Sequence, residues 1–308
     1  MTTYNNRLLF FILIGLIGIF VLAKVFRAPK REGNLNFSLV QVDTASVSEI
    51  RLYPVSGQHE EVRLLREGGK WLVKNNTMQS EADHGLANGL LHSIVHIQAE
   101  RIISRSKDKW DTYRVGDTTG TRVMVFAGSE QPVAEWWIGE ASSPGGVSGG
   151  GLSYVRLPGD SEVYAVGGYL NPQFDKAFND WRNKTFLRLA KEQISSIHAT
   201  GVAGFSLEKK DAAWVVNGQP ADSTKVARYL GNIYSKNLRD FVDHFAASSD
   251  PDAVLTISTD NGKTTVSAWK QDSTWVVGSS QRPGVFFSVP DNVLKEDIWT
   301  DPEELRVK

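Results

Sequence analysis

The sequence predicts an α+β protein: an N-terminal transmembrane helix followed by two tandem β-rich repeats, each an antiparallel sheet with one or two packed helices. Three observations predict it. A long apolar run stands near the N-terminus, segments that alternate apolar and polar residues come after it, and the patterns of the first half recur in the same order in the second. The predicted divisions are a transmembrane helix at 1–26, a polar linker at 27–36, repeat one at 37–187 and repeat two at 188–308.

The apolar run at residues 8–23, LLFFILIGLIGIFVLA, predicts a membrane anchor. Leu, Ile, Phe and Val make up most of it, and a helix extended to Phe26 is about 28 Å long, close to the hydrocarbon thickness of a bilayer. We therefore expect residues 8–26 to lie in the lipid bilayer. A cleaved signal peptide is the alternative, although VLAKVF is a poor cleavage site. No cysteine comes after the run, which argues against a lipoprotein.

The charges beside this run leave two orientations open. More basic residues lie on its C-terminal side than on its N-terminal side, so the positive-inside rule taken literally keeps the body in the cytoplasm. A short polar start before an apolar run is instead typical of a signal anchor, which exports the rest of the chain. We predict a single-pass protein of the inner (cytoplasmic) membrane with its body exported to the periplasm.

Composition excludes several function classes. Five basic residues and no acidic one fall within 1–31; the remaining 29 basic residues face 35 acidic ones, so the body is mildly acidic. Nucleic-acid binding needs a positive surface to engage phosphates, so no nucleic acid is expected as a partner. The chain has no cysteine, which excludes disulfides, thiol nucleophiles and thiolate metal sites.

In repeat one, alternating runs predict strands from Phe37 onward, and EEVRLLREGGKWLVKN predicts a hairpin closed by Glu-Gly-Gly. A helix is expected next, with Ser80 and Asp83 resembling a capping box. Its predicted apolar stripe consists of Leu86, Leu90, Ile94 and Ile97. Five further strand patterns come next: RIIS, TRVMVFA, VAEWWIG, LSYVRL and EVYAV. A short helix is predicted around 168–178.

Repeat two presents the same order of patterns. EQISSIHATG matches ASVSEIRLYP, FSLEKKDAAWVVNG matches VRLLREGGKWLVKN, and PADSTKVARYLGNI matches EADHGLANGLLHSI. AVLTISTDNGKTTVSAWK and PGVFFSVPDNVLKE correspond to later strands of repeat one. By this alignment Trp71 and Trp214 mark the same hairpin strand, and Asp83 and Asp222 the same helix cap. These four residues are therefore interpreted as structural repeat markers, while a ligand-binding Trp is the alternative for the indoles.

The stretch AEWWIG and the loop SSPGGVSGGGLS give the candidate partner contacts: Trp136, Trp137, Pro144, Gly145, Gly146 and Val147. The two indoles face opposite sides of a strand, so one of them is expected on a less buried face. The loop has no Lys and leads into a strand, unlike a phosphate-binding loop, which leads into a helix. The role of its glycines at 145–151 is left open between a mobile hairpin tip and a contact loop.

Other polar groups are interpreted as structural. His92 and His96 have the i, i+4 spacing of metal ligands, but the sequence indicates no third ligand, so a solvated helix face is expected. Arg182 and Lys184 in DWRNKT are interpreted as a solvated turn between the repeats; contact with lipid head groups or a partner is the alternative. No catalytic, cofactor-binding or metal-binding residue is predicted, and no cofactor.

Four stretches together, FSLVQVDTASVSEIRL, GGKWLVKN, EWWIG…LSYVRLPGDSEVYAV and DWRNKTFLRL, resemble the bacterial domain-of-unknown-function 4340 family. They look like its membrane-anchored versions from Bacteroidota. The resemblance implies an exported, single-pass accessory protein that associates with ABC transporters similar to the gliding-motility auxiliary system. It implies no catalytic residue.

Three hypotheses are consistent with these features. The first is a non-enzymatic envelope scaffold that binds an ABC-type permease or its auxiliary subunit. The second is a module that binds cell-wall polymer or glycan, since the chain has 9 Trp and 8 Tyr. The third is an enzyme of unrecognised type.

Overall fold

The computed structural model describes residues 37–142, 151–211, 213–247 and 249–307. The predicted transmembrane helix at 1–26 and the linker at 27–36 lie outside these ranges. Within them, no helix is both long enough and apolar enough to cross a bilayer. The structure that they do show is α+β, built mostly from antiparallel sheets with few helices, as the alternating patterns predict.

Ten strands of the first half form one antiparallel sheet: β1 (Phe37–Ser38), β2 (Glu49–Tyr53), β3 (Val62–Glu67), β4 (Lys70–Lys74), β5 (Gln79–Glu81), β6 (Gln98–Ser104), β7 (Thr121–Phe126), β8 (Ala134–Ile138), β9 (Leu152–Arg156) and β10 (Val163–Gly167). Their order across the sheet is β1-β6-β10-β9-β8-β7-β2-β3-β4-β5. The predicted hairpin is confirmed as β3–β4. Its turn residues Gly68 and Gly69 have φ of 56° and 80°, the left-handed conformation that a tight hairpin turn requires.

The described part of this half contains three α-helices: α1 (His84–Ile94), α2 (Asn171–Phe174) and α3 (Phe178–Trp181). The carboxylate of Asp83 accepts a hydrogen bond from the Leu86 amide at 3.0 Å and so caps α1. The predicted stripe is partly wrong, since Leu86 is 39% exposed and Leu91 is buried in its place. Ser80 belongs to β5 and does not cap the helix. The single short helix expected around 168–178 is two four-residue helices.

The second half contains β11 (Thr185–Arg188), β12 (Ile194–Thr200), β13 (Phe205–Lys210), β14 (Ala213–Val216), β15 (Gln219–Pro220), β16 (Ser235–Asn237), β17 (Ala253–Thr259), β18 (Gly262–Gln271), β19 (Thr274–Ser279) and β20 (Phe286–Pro290). Eight of them form an antiparallel sheet in the order β15-β14-β13-β12-β17-β18-β19-β20, and β11 pairs with β16. The helices are α4 (Ser223–Ile233) and α5 (Asp291–Asp297). Asp222 caps α4 by accepting from the amides of Thr224 and Lys225.

Eight strands follow the same order in the two sheets, although β6 and β1 extend the first sheet beyond β10 whereas β16 pairs with β11. Read from β10, the first runs β10-β9-β8-β7-β2-β3-β4-β5; read from β20, the second runs β20-β19-β18-β17-β12-β13-β14-β15. Trp71 and Trp214 occupy the same place in their hairpins, pairing with Arg66 and Lys209. This order fits two copies of one unit, although the limit predicted at 187/188 falls inside β11.

Each sheet has its own hydrophobic core. In the first half, α1 covers the inner face with Ala87, Leu90, Leu91 and Ile94. In the second, α4 covers it with Val226, Tyr229, Leu230 and Ile233. Both helices therefore lie on one face of a sheet.

Candidate functional site

The two tryptophans predicted as partner contacts lie on β8 and face opposite sides of the sheet. Trp136 is completely buried in the first core, edge-on to Phe174 with ring centres 6.1 Å apart. Trp137 points to the outer face but is only 8% exposed. Trp137 is therefore the less buried indole of the two, as expected, but it is not exposed. The indole nitrogens of both residues are buried without a hydrogen-bond partner in the described structure.

Trp137 is covered by a buried arginine. The guanidinium carbon of Arg156 lies 3.7 Å from the centre of the Trp137 ring and 4.0 Å from that of Trp110. Its Nε donates to the Val115 carbonyl at 2.8 Å, and its Nη2 donates to the Asp117 carboxylate at 2.5 Å. Burial lowers the pKa of Arg156, and the hydrogen bond to Asp117 opposes that shift. The two indoles therefore hold the cation between them by cation–π attraction.

The glycine-rich loop begins and ends beside this arginine–indole stack. Its predicted contact residues, Pro144, Gly145, Gly146 and Val147, lie outside the described residues. At the described ends, the Ser142 hydroxyl lies 2.9 Å from the Tyr154 hydroxyl, and the rings of Tyr154 and Tyr113 are 4.7 Å apart. Half-buried aromatic rings therefore stand at the base of the loop.

The histidine pair at the end of α1, with His92 in the helix and His96 in the turn after it, makes a local contact. The rings of His92 and His96 are 4.3 Å apart, and Nδ1 of His96 lies 2.7 Å from the His92 carbonyl. Among the residues that the structure describes, no group of three His, Cys, Asp or Glu side chains is arranged to hold a metal ion.

Within the described residues, a cleft between the two halves combines charged side chains with access from solvent. Its volume is about 540 Å³, and it is lined by residues 78–81 and Arg182 on one side and by 242–245 and 281–286 on the other. Ligand pockets occur preferentially at such junctions between folded units. We therefore treat this junction cleft as the candidate functional site.

Arg182 joins the halves from the first side of the junction cleft. Its side chain is only 4% exposed, and its two terminal nitrogens donate to both carboxylate oxygens of Asp243 at 2.8 and 3.0 Å. The guanidinium carbon lies 3.6 Å from the centre of the Phe241 ring. This two-pronged geometry is specific to arginine. The expectation of a solvated turn is therefore wrong for Arg182.

Arg282 joins the halves from the second side. Its Nη1 donates to the carbonyls of Asn183 and Thr185 at 2.6 and 3.0 Å. Its Nη2 lies 3.5 Å from the Glu81 carboxylate, which is 36% exposed. Burial lowers the pKa of Arg282; the negative charge of Glu81 opposes this shift and the positive charge of Arg182 adds to it. Arg282 is thus held tightly by backbone carbonyls and loosely by its carboxylate.

Lys184, the second cation of DWRNKT, is half-buried and makes a local contact. Its ammonium donates to the Asp180 carbonyl at 2.7 Å, and burial lowers its pKa. The sequence marked this segment as a junction but could not show that Asp243 and Arg282 would meet it, because those residues lie far away along the chain.

Strand β5 supplies a sheet edge to the junction cleft. Toward β4, the Met78 carbonyl accepts from Asn75 and the Ala82 amide donates to Trp71. Backbone groups alternate along an antiparallel strand, so those of Gln79 face the opposite way, toward the cleft. Beyond Glu81 this outer edge is paired with residues 181–183, but at Gln79 no described strand pairs with it.

Comparison with known proteins gives one match. A family model described as a domain of unknown function (DUF4340) matches residues 74–233. That range includes β5, α1 and Arg182 but ends before Asp243 and Arg282. No curated protein and no solved structure matches the chain.

Proposed function

The chain belongs to this domain-of-unknown-function 4340 family, and we propose that it is a non-enzymatic, membrane-anchored accessory protein of the cell envelope. Residues 8–26 hold it in the inner membrane, and the two-sheet body works in the periplasm. Its partner is the permease or an auxiliary subunit of an ABC-type transport system similar to the gliding-motility auxiliary system. The apolar run and the resemblance of the strand patterns support this proposal.

The observation that carries the proposal is the junction cleft. Two arginines, the buried Arg182 and the half-buried Arg282, each cross from one half to the other, Arg182 to Asp243 and Arg282 to Glu81. Such paired cross-links fix the relative position of the sheets and keep a concave surface open between them. A scaffold needs such a preformed surface, because a rigid binding face reduces the entropy lost on association.

The proposal is tested by purifying the full-length protein, tagged at its C-terminus, from detergent-solubilised membranes. We expect a permease or auxiliary subunit of an ABC-type system to be recovered with it, and not with an unrelated single-pass protein carrying the same tag. Recovery of the protein without any transporter component would contradict the proposal. A reporter fused to the C-terminus, active only in the periplasm, tests the orientation.

The arginine–indole stack supports a second candidate, a module that binds cell-wall polymer or glycan. Trp110, Tyr113 and Tyr154 are half-buried at the base of the glycine-rich loop and offer aromatic surface. Aromatic rings with an apolar body and a polar end suit a ligand with both characters. Incubating the full-length protein with purified cell-wall polymer and sedimenting the polymer tests this; protein left in the supernatant would exclude it.

A further inference from the structure

We propose that the junction cleft binds an extended, acidic peptide segment of a partner protein. The segment pairs with the outer edge of β5 at Gln79 and places a carboxylate on Arg282. This inference rests on the proposed function, since it names the chemistry by which the partner is recognised at the same site.

The strand edge provides the main-chain part of the site. Both backbone groups of Gln79 face the cleft, and Gln79 is exposed. The neighbouring edge positions are already used, because the Glu81 carbonyl accepts from Asn183 and the Asp83 amide donates to Trp181. An added segment would therefore continue a pairing that the chain itself begins, which is how peptides add to exposed sheet edges.

The positive charge of Arg282 favours an acidic side chain in the bound peptide segment. Arg182 has a carboxylate at 2.8 Å, whereas Arg282 has one only at 3.5 Å, shared with the side-chain amide of Asn183. A guanidinium next to a second guanidinium is best stabilised by a close carboxylate. An acidic side chain of the bound segment supplies that carboxylate at hydrogen-bonding distance.

The side of the junction cleft that holds Arg282 also carries an apolar patch. Phe245 packs against Phe286 with ring centres 5.0 Å apart, and Val242 and Val285 line the cavity beside them. Side chains of an extended segment alternate between two directions. We therefore expect an apolar residue two positions from the acidic one, directed toward this patch.

Two pools of short peptides test the proposal on the full-length protein, immobilised in detergent at neutral pH. All peptides are acetylated and amidated, with random uncharged residues around a central Glu in one pool and a central Gln in the other. We expect the Glu pool to be retained about tenfold better, as one close charge-assisted hydrogen bond provides. Blocked termini ensure that only the side-chain carboxylate is tested.

Two variants locate the binding. Arg282→Gln should abolish the preference for Glu, whereas Arg114→Gln, at a 58% exposed arginine elsewhere, should leave it unchanged. Because Arg282→Gln could disturb folding, Gln79→Pro is the second variant: it removes an amide that faces away from β4, so the sheet keeps its internal bonds. We expect Gln79→Pro to weaken retention of the Glu pool about fivefold.

Equal retention of both pools, or retention that neither variant changes, would overturn the proposal. The proposed function fails separately, when no transporter component is recovered with the full-length protein. If a component is recovered and the Glu pool is not preferred, only the acidic-peptide inference is lost.

Discussion

At the scale of single residues, the described structure depends on arginines that are buried beside aromatic rings. Arg156 lies between Trp110 and Trp137, and Arg182 lies over Phe241. Removing a guanidinium from water has a cost, which the rings and the hydrogen-bonded acceptors offset. Lysine cannot replace arginine there, because an ammonium cannot stack flat between two rings.

For Arg156→Lys we expect the free energy of unfolding in urea to fall by about 2 kcal/mol, since stacking on two indoles is lost. Arg114→Lys is the control: Arg114 is 58% exposed and pairs with an exposed Glu140. Its change should stay within about 0.5 kcal/mol. Equal losses in the two variants would contradict a stacking role for Arg156.

Glu49 gives a pH-dependent prediction. Burial raises its pKa, but hydrogen bonds from Arg63 and Arg51, each 2.6 Å long, outweigh burial, so the pKa lies below its ordinary value of 4.5. The ionised carboxylate therefore contributes stability above pH 4.5, and this contribution is lost as the pH falls through the lowered pKa.

We expect Glu49→Gln to lower the free energy of unfolding by about 2 kcal/mol at neutral pH. The gap between wild type and variant should close in acid, well below pH 4.5. Urea titrations at a series of pH values measure this gap. A gap that stays constant into acid would show that the carboxylate charge is not what stabilises β2.

At the scale of elements, two glycines show how local backbone conformation decides whether glycine is favourable. Gly69 lies in the turn of the β3–β4 hairpin with φ of 80°, a conformation that favours glycine. Gly89 lies inside α1, where glycine is less favourable than alanine. A Cβ atom at either position would meet nothing within 4 Å. Backbone conformation alone therefore separates the two sites.

The same substitution should consequently have opposite effects at the two glycines. Gly69→Ala should destabilise the protein by about 1 kcal/mol, because alanine is strained at positive φ. Gly89→Ala should stabilise it by about 0.5–1 kcal/mol. Thermal and urea unfolding measure both changes, and a loss of stability at both sites would contradict this account.

The segments after β6 and β16 have equivalent positions in the two halves. Each passes over the outer face of its sheet and covers a tryptophan: Trp110 shields Arg156 on Trp137, and Phe245 packs on Trp269 with ring centres 5.3 Å apart. Sequence patterns of period two identify the strands but cannot identify these covers, because a loop has no periodicity.

At the scale of the whole molecule, contacts across the junction cleft fix the position of the two sheets relative to each other. The Arg182–Asp243 pair crosses it between groups that are 4% and 29% exposed. Breaking a buried pair from one side leaves an unpaired charge, which is costlier than losing an exposed pair.

We therefore expect Asp243→Asn to lower the free energy of unfolding by about 3 kcal/mol. The matched control is Glu140→Gln, which removes the acid of an exposed pair and should change stability by less than about 0.5 kcal/mol. Urea unfolding measured by tryptophan fluorescence compares them. Equal stability of the two variants would show that the junction does not depend on this pair.

The amino-acid sequence by itself determined the α+β class, most of the longer strands, the β3–β4 hairpin and the Asp83 and Asp222 caps. All of these arise from interactions among residues that are close along the chain. The repeated order of local patterns also predicts two tandem units, and the strand order that the two sheets share fits this prediction.

Only the tertiary structure decided which side chains are buried and which residues meet across the chain. Leu91 of α1 is buried and Leu86 is not, because burial depends on where the sheet lies against the helix. The burial of Trp137 depends on Arg156, and that of Arg182 on Asp243, 61 residues later. The junction cleft is formed by contacts between residues that are distant in sequence, and no local sequence pattern predicts such contacts.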